Sequence, residues 1–384
     1  MTIRNKYLFM AIFLFSCAIN AFAGRTTFET LPKTVSVDLP EDFILEASEG
    51  NSSFQLANTT VPVKAIVRIF EKGKYQSPAQ ALETILKNLG ISTSIKDVKW
   101  QSQKCALAQA EGSISQRKSK LIACAAKIPE NESIILLFTW CDVVKAKDCT
   151  AFMESFIDSL CISNESYFTP GLYTESLYPT EGKTQKINMD ILGTKLTTEM
   201  EENALEASEY CIDREYKTLC LYMKSSAWIQ AWQRYYRMIF RDSCGRLSRA
   251  CFDITNALAP ACKDETDLAQ KLLTWVQGFG YERQKNDADF ASLPSILLGG
   301  GSDCDSRSML LCVLLQSANQ DAIMFVSREY QHAIAGFISS HPGFSFEVSG
   351  KKYLTGETTA KNINWGNISQ TQSDQKKWIP VQLP

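Results

Sequence analysis

The segment that most constrains this chain runs from Gly299 to Leu315. Gly299-Gly300-Gly301-Ser302-Asp303-Cys304-Asp305 leads into an apolar stretch from Met309 to Leu315. A helix that is apolar all round must be covered on every side, so it belongs at the centre of a domain. The loop places a thiol in the first helical turn, where unpaired N–H groups and the positive end of the dipole stabilise a thiolate. Ala322 to Ser327 and Tyr330 to Phe337 then read as strands, so the helix is expected to pack on a sheet.

The second strand-like segment carries His332, one of only two histidines in the 384 residues. The other, His341, stands in a His-Pro-Gly turn and reads as an exposed loop residue. Further on, Glu357 is flanked by β-favouring threonines, Thr355, Thr358 and Thr359. Cysteine at a helix start, histidine on one strand and a carboxylate on the next have the order of a nucleophile, a base and the group that orients the base. On this expectation Cys304 attacks, His332 moves the proton and Glu357 holds the imidazole tautomer. Gln277, at the end of a helix capped by Asp264 or Thr266, is a candidate oxyanion donor beside the Cys304 backbone N–H. Two histidines and no Cys-x-x-Cys pair exclude a multi-histidine or zinc-ribbon metal site, and no cofactor is expected.

These residues resemble a family. Gly-Ser-Asp-Cys304-Asp before an apolar helix, His332-Ala333, and Tyr353-x-x-x-Glu357-Thr-Thr are similar to the bacterial transglutaminase-like superfamily. Trp275-Val276-Gln277-x-x-x-Tyr281 resembles the phrase preceding the cysteine in its exported members. The resemblance covers about residues 264–360. It implies a papain-like fold with a Cys-His-Asp/Glu triad acting on an amide. The chain departs from the family in having Ser-Asp-Cys rather than Gly-Asp-Cys, Ile334 where an aromatic is common, and Glu357 where Asp is common.

The first residues suggest a destination. Arg4 and Lys6 precede an apolar run from Tyr7 to Ala18, and Ala21-Phe22-Ala23 ends it. That is the pattern of a secretory signal cleaved after Ala23. Leu14-Phe15-Ser16-Cys17 offers the other reading, a lipid anchor at Cys17. Either way the protein is expected to be exported, periplasmic or secreted, or held at the membrane as a lipoprotein. No later stretch reaches the ~18 apolar residues of a transmembrane helix. Export makes disulfides the default for the remaining cysteines, with Cys105–Cys124, Cys141–Cys149 and Cys211–Cys220 the favoured local pairs.

Composition places the chain among globular proteins, 45% hydrophobic and 21% charged. A net charge of −2 gives no basic footprint for nucleic acid. The expected class is α+β. Residues 24–162 form an N-terminal domain with an antiparallel sheet and covering helices, whose element order is similar to PsbP/Mog1-like domains. Within it Ser77-Pro78 and Gln80 start a helix that Gly90 ends. A polar Pro/Gly stretch, 163–186, reads as a linker. Residues 187–384 form the transglutaminase-like domain, with strands near 187–196 and 207–223 and an aromatic-rich helix from Ala227. Trp228, Trp232 and Tyr235 on that helix read as core or, alternatively, as a wall for a ligand, and Arg234, Arg237, Arg241 and Arg246 as a solvated or salt-bridged face.

Two functions from different classes are expected. The first is an exported thiol enzyme, a peptidase, amidase or acyl transferase acting on a peptide, protein or cell-wall amide through a cysteine thioester. The alternative is a non-enzymatic envelope binding module on a transglutaminase-like scaffold.

Overall fold

A computed structural model describes residues 25–283 and 287–384. The expected signal segment 1–23 and Cys17 lie outside these residues. Two short strands, β1 (Thr26–Thr27) and β2 (Ser36–Val37), precede β3 (Phe43–Glu49), β4 (Ser53–Asn58) and β5 (Val63–Phe70). Helix α1 (Pro78–Asn88) follows, then β6 (Ile95–Trp100), β7 (Gln103–Ile114), β8 (Arg117–Lys127), β9 (Ile134–Asp142), α2 (Ala146–Asp158) and β10 (Leu160–Cys161). Strands β3 to β9 make one antiparallel sheet in the order β3-β4-β5-β9-β8-β7-β6. Its central strands are buried on both faces, which explains why β8 and β9 are apolar almost without interruption. Along β9, Ile134, Leu136 and Phe138 face the side covered by α1, while Ile135 and Leu137 face the side covered by α2. Leu121, Ala123 and Ala125 alternate with Ile122, Cys124 and Ala126 along β8 in the same way. This is the period of two of a pleated strand between two layers.

The start of α1 follows its sequence. Ser77 Oγ accepts the Gln80 N–H at 3.2 Å with Pro78 in the first turn. The Gln80 amide reaches one residue further back than a capping box and accepts from Gln76 N–H at 2.6 Å.

The stretch 163–186 carries structure of its own. A 3₁₀ turn spans Asn164–Phe168, α3 spans Leu172–Leu177 with Leu172 to Ser176 buried, and β11 begins at Thr184. Strand β11 (Thr184–Ile191) pairs with β12 (Thr194–Glu201) as a hairpin. Helices α4 (Ala204–Cys220), α5 (Trp228–Arg246), α6 (Ser248–Leu258), α7 (Glu265–Gln277) and α8 (Leu293–Leu297) lead to the central α9 (Cys304–Ser317). A second antiparallel sheet comprises β13 (Ala322–Ser327), β14 (His332–Ile338), β15 (Ser345–Val348), β16 (Lys351–Gly356) and β17 (Ile379–Gln382), in the order β15-β16-β14-β13-β17. Every residue of α9 from Ser306 to Leu315 is buried, as its sequence requires. The architecture is mixed α+β, with an N-terminal sheet between helices and a C-terminal helical region closed by a curled sheet.

Two local expectations are corrected. Residues 207–223 are not a strand: α4 occupies them as far as Cys220, and a turn follows. Its buried positions, Ala204, Ala207, Ser208, Cys211, Ile212, Arg214, Glu215 and Thr218, fall at helical spacing, but half are polar and leave little hydrophobic period to read. The arginines of α5 are not solvated. Arg234 and Arg246 are 2% and 1% exposed, and Arg237 and Arg241 are buried as well. Arg234 donates to Asp38 O at 2.9 Å and Ser155 Oγ at 2.8 Å. Arg237 makes paired 2.9 Å bonds to the Asp38 carboxylate. Arg241 donates to the carbonyls of Asp158, Leu160 and Thr169. Helix α5 is thus clamped onto the N-terminal layer by charge-assisted bonds.

The disulfide expectation is also corrected: all twelve described cysteines carry free thiols. Cys211 and Cys220 lie nine residues apart on α4, roughly 13 Å along the axis, far outside disulfide reach. Cys105 and Cys124 sit diagonally across β7 and β8, because Cys105 pairs with Ala126 and Cys124 with Leu107. Cys141 and Cys149 meet only through a hydrogen bond between their thiols.

Candidate functional site

The loop before Cys304 is shaped by its own chain. Gly299 has φ +94°, a conformation that suits glycine. A Cβ on Gly301 would lie 2.5 Å from Glu282 Cβ. That approach lets the Ser302 N–H donate to Gly280 O at 3.0 Å and the Glu282 N–H to Ser302 O at 2.9 Å, which sets Tyr281 beside the start of α9. Asp303 caps the helix: its Oδ1 accepts the Ser306 N–H at 2.8 Å, and Ser306 Oγ accepts the Asp303 N–H at 3.0 Å. Arg307, 1% exposed, ties the pieces together through Ser302 Oγ at 2.9 Å, Phe279 O at 2.6 Å and Thr358 O at 3.3 Å.

His332 is the first residue of β14, opposite Ser327 of β13. Its Nε2 lies 2.8 Å from Glu357 Oε2, and its ring packs 6.2 Å from that of Trp378. Glu357 stands one residue past β16, and its Oε1 accepts from Thr359 N–H at 2.7 Å and Thr359 Oγ1 at 2.6 Å. Burial pushes its carboxyl up, but the His332 bond and charge and the two Thr359 donors outweigh it and hold the group at about 2. Gln277 lies beneath this pair. Its Nε2 donates to the carbonyls of Glu357 at 2.8 Å and Ile363 at 2.9 Å, so its hydrogens support the Glu357 backbone.

Cys304 and His332 line one cleft of about 340 Å³, with Asp303, Asp305, Asp289, Trp232, Tyr281 and Arg328 among its other walls. The thiol is directed elsewhere. Cys304 Sγ donates to Asp305 Oδ1 at 3.2 Å, and the Ala333 N–H bonds to the sulfur. Among the described residues no hydrogen bond joins Cys304 to His332. Burial, followed by the Asp305 charge and the bond to it, raises the thiol well above its ordinary value. A nucleophilic cysteine needs the opposite, a neighbour that favours the thiolate. The helix N-terminus is present, but the Asp305 and Asp303 charges beside the sulfur disfavour the thiolate.

The expected enzyme is therefore corrected. Cys304, His332 and Glu357 do not act as a hydrogen-bonded Cys-His-Glu triad. The site holds a His332–Glu357 pair beside a thiol that donates to Asp305, so cysteine-protease, hydrolase and acyl-transfer chemistry through Cys304 is set aside.

Several cleft residues carried no distinguishing signal. Asp303 and Asp305 read as ordinary cap residues in sequence. Asp305 is instead half-buried and accepts both the Cys304 thiol and the Tyr236 hydroxyl. Asp289 and Arg328 come from a loop and a strand end with no motif. Trp232 belongs to the aromatic stripe of α5, in which Tyr235 is core and Trp228 is half-buried.

No family model and no curated protein matches the chain, so the transglutaminase-like resemblance has no family match behind it. Among solved structures, cyanobacterial PsbP from Synechocystis sp. PCC 6803 is similar at 11% identity over 38% of this chain and 97% of that one, with a TM-score of 0.29. The Ran-binding protein Mog1p of Saccharomyces cerevisiae is similar at 10% identity over 32% of this chain and 78% of that one, TM-score 0.24. A crystal structure from Bacteroides thetaiotaomicron VPI-5482 aligns over 86% of this chain and 89% of its own at 11% identity, TM-score 0.27. What the comparisons show is a weak, partial structural resemblance to PsbP/Mog1-like folds.

Proposed function

We propose that the protein is a non-enzymatic binding module of the cell envelope, and that the cleft over Cys304, Asp305 and His332 receives its ligand. The observation that carries this reading is the Cys304 thiol at the head of α9, which donates to Asp305 rather than bonding to His332 in a cleft with a polar lining. A helix-head cysteine against a sheet bearing the His332–Glu357 pair supports a transglutaminase-like scaffold. Cys304, His332, Glu357 and Gln277 are then the frame of a binding site, with Gln277 and Glu357 as positioning residues. The Arg4-to-Ala23 pattern supports export. No helix among the described residues is long and apolar enough to cross a membrane. Division of the chain at 163–186 is part of the proposal, supported by the larger sheets drawing their strands from one side or the other.

Two measurements test it. Wild type and Cys304→Ala are incubated with a glutaminyl p-nitroanilide, and a panel of N-acetyl amino-acid N-methylamides of every charge type is titrated by NMR. The expected result is no Cys304-dependent p-nitroaniline release, with shift changes at Trp232 for at least one panel member. Turnover that Cys304→Ala abolishes, or a panel in which nothing perturbs the cleft, would overturn the proposal.

A further inference from the structure

The floor of the cleft differs from its mouth. Asp303 is 4% exposed and lines the cleft, yet its Oδ2 has no hydrogen-bond partner among the described residues. A buried carboxylate oxygen without a donor is costly, because it has lost water and gained nothing. Burial, reinforced by Asp305, lifts the Asp303 carboxyl to about 6 against its Ser306 bonds.

The nearby cations do not answer it. Arg283 is paired with Asp289. Arg307 directs its donors to Ser302, Phe279 and Thr358 and stacks over Tyr281 at 5.4 Å. Arg328 is exposed at the mouth, over the Trp228 ring at 5.6 Å. Asp305 accepts two neutral donors, Cys304 and Tyr236, and forms no ion pair with a lysine or arginine among the described residues; burial raises its carboxyl although the two donors and the His332 charge oppose the shift. Among the described residues, no group of three or more His, Cys, Asp or Glu is arranged to hold a metal ion. What the floor lacks is a cation that brings its own N–H donors.

Trp232 gives that cation a wall. It is half-buried, stacked on Trp228 at 5.8 Å, and lines the same cleft. A ring face beside carboxylates suits an ammonium group, which is drawn to the negative face of the indole. A volume of about 340 Å³ is ample for a side chain of lysine length.

Resting on the binding-module reading above, we infer that the cleft recognises a primary alkylammonium group, its N–H donors directed at Asp303 Oδ2 and Asp305 and its carbon chain lying along Trp232. A lysine side chain and the free N-terminus of a peptide share this chemistry.

The test uses calorimetry on the full chain with four probes. These are Nα-acetyl-lysine N-methylamide, its norleucine and glutamate counterparts, and glycylglycine N-methylamide. The lysine compound is expected to bind about ten- to a hundredfold more tightly than the norleucine compound, the worth of a charged hydrogen bond. The glycylglycine arm shows whether a chain terminus serves as well as a side chain. Asp303→Asn keeps an N-cap residue of equal quality and should bring the lysine compound down to the norleucine level. If Asp303→Asn does not fold, Trp232→Leu decides, and it should weaken the lysine compound more than the norleucine compound. Equal binding of lysine and norleucine probes, or tighter binding of glutamate, overturns the ammonium assignment while the binding-module reading stands. Failure of all four overturns the ammonium assignment, and silence across the whole amide panel overturns the binding-module reading too.

Discussion

Glu215 is the point on which the two halves of the molecule turn, and Glu215→Gln tests how they are joined. Its Oε1 lies 2.7 Å from Arg214 and its Oε2 3.2 Å from Arg234, while Ser155 Oγ donates to Oε2 at 2.8 Å. Arg214 also pairs with Asp158. Two cations and two anions balance, and all four side chains are at most 3% exposed. Glutamine keeps the shape and the acceptor for Ser155 but removes one charge. It leaves a net positive charge where water cannot screen it. Removing one partner of a buried pair costs about 3–5 kcal/mol. An internal control lies two residues away on the same helix. Lys217 and Asp213 form an exposed pair at 2.6 Å, and breaking it with Asp213→Asn should cost under about 1 kcal/mol. Urea unfolding of the three proteins, followed by far-UV circular dichroism and tryptophan fluorescence, gives the comparison. If Glu215→Gln and Asp213→Asn differ by less than about 1 kcal/mol, burial of the network is not what makes Glu215 matter.

The site makes further predictions. Glu357 is held at about 2, below its ordinary 4.5, so its contribution is present above pH 4.5 and disappears as the pH falls through 2. That shift corresponds to about 3 kcal/mol, so Glu357→Gln should lose this much at pH 7 and match wild type near pH 2; an equal deficit at both pH values in urea titrations would contradict it. Asp305→Asn removes the charge that disfavours the Cys304 thiolate, and iodoacetamide labelling of Cys304 at pH 7 should accelerate about tenfold, with an unchanged rate counting against Asp305. Gly301→Ala forces a methyl group against Glu282 Cβ and should cost about 1–3 kcal/mol, visible as lower thermal stability together with altered NMR shifts at Tyr281.

Local chemistry was legible wherever a residue's neighbours in sequence are also its neighbours in space. Ser77-Pro78 started α1, Asp264 capped α7, the apolar run after Cys304 demanded a buried helix, and the β13 and β14 segments stood out by composition. That His332 meets Glu357 was also suggested by order alone, because adjacent antiparallel strands bring such residues together. What only the tertiary structure decided is the state of charged and polar groups. Whether an arginine on α5 meets water or Asp38, and whether the Cys304 thiol finds an imidazole or the Asp305 carboxylate, depends on burial and on partners up to nearly two hundred residues away. Hydrophobic periodicity records which face of an element leaves water. It does not record where a buried charge finds its partner, because in a low-dielectric interior an ångström of placement decides which of several possible neighbours sets the protonation state.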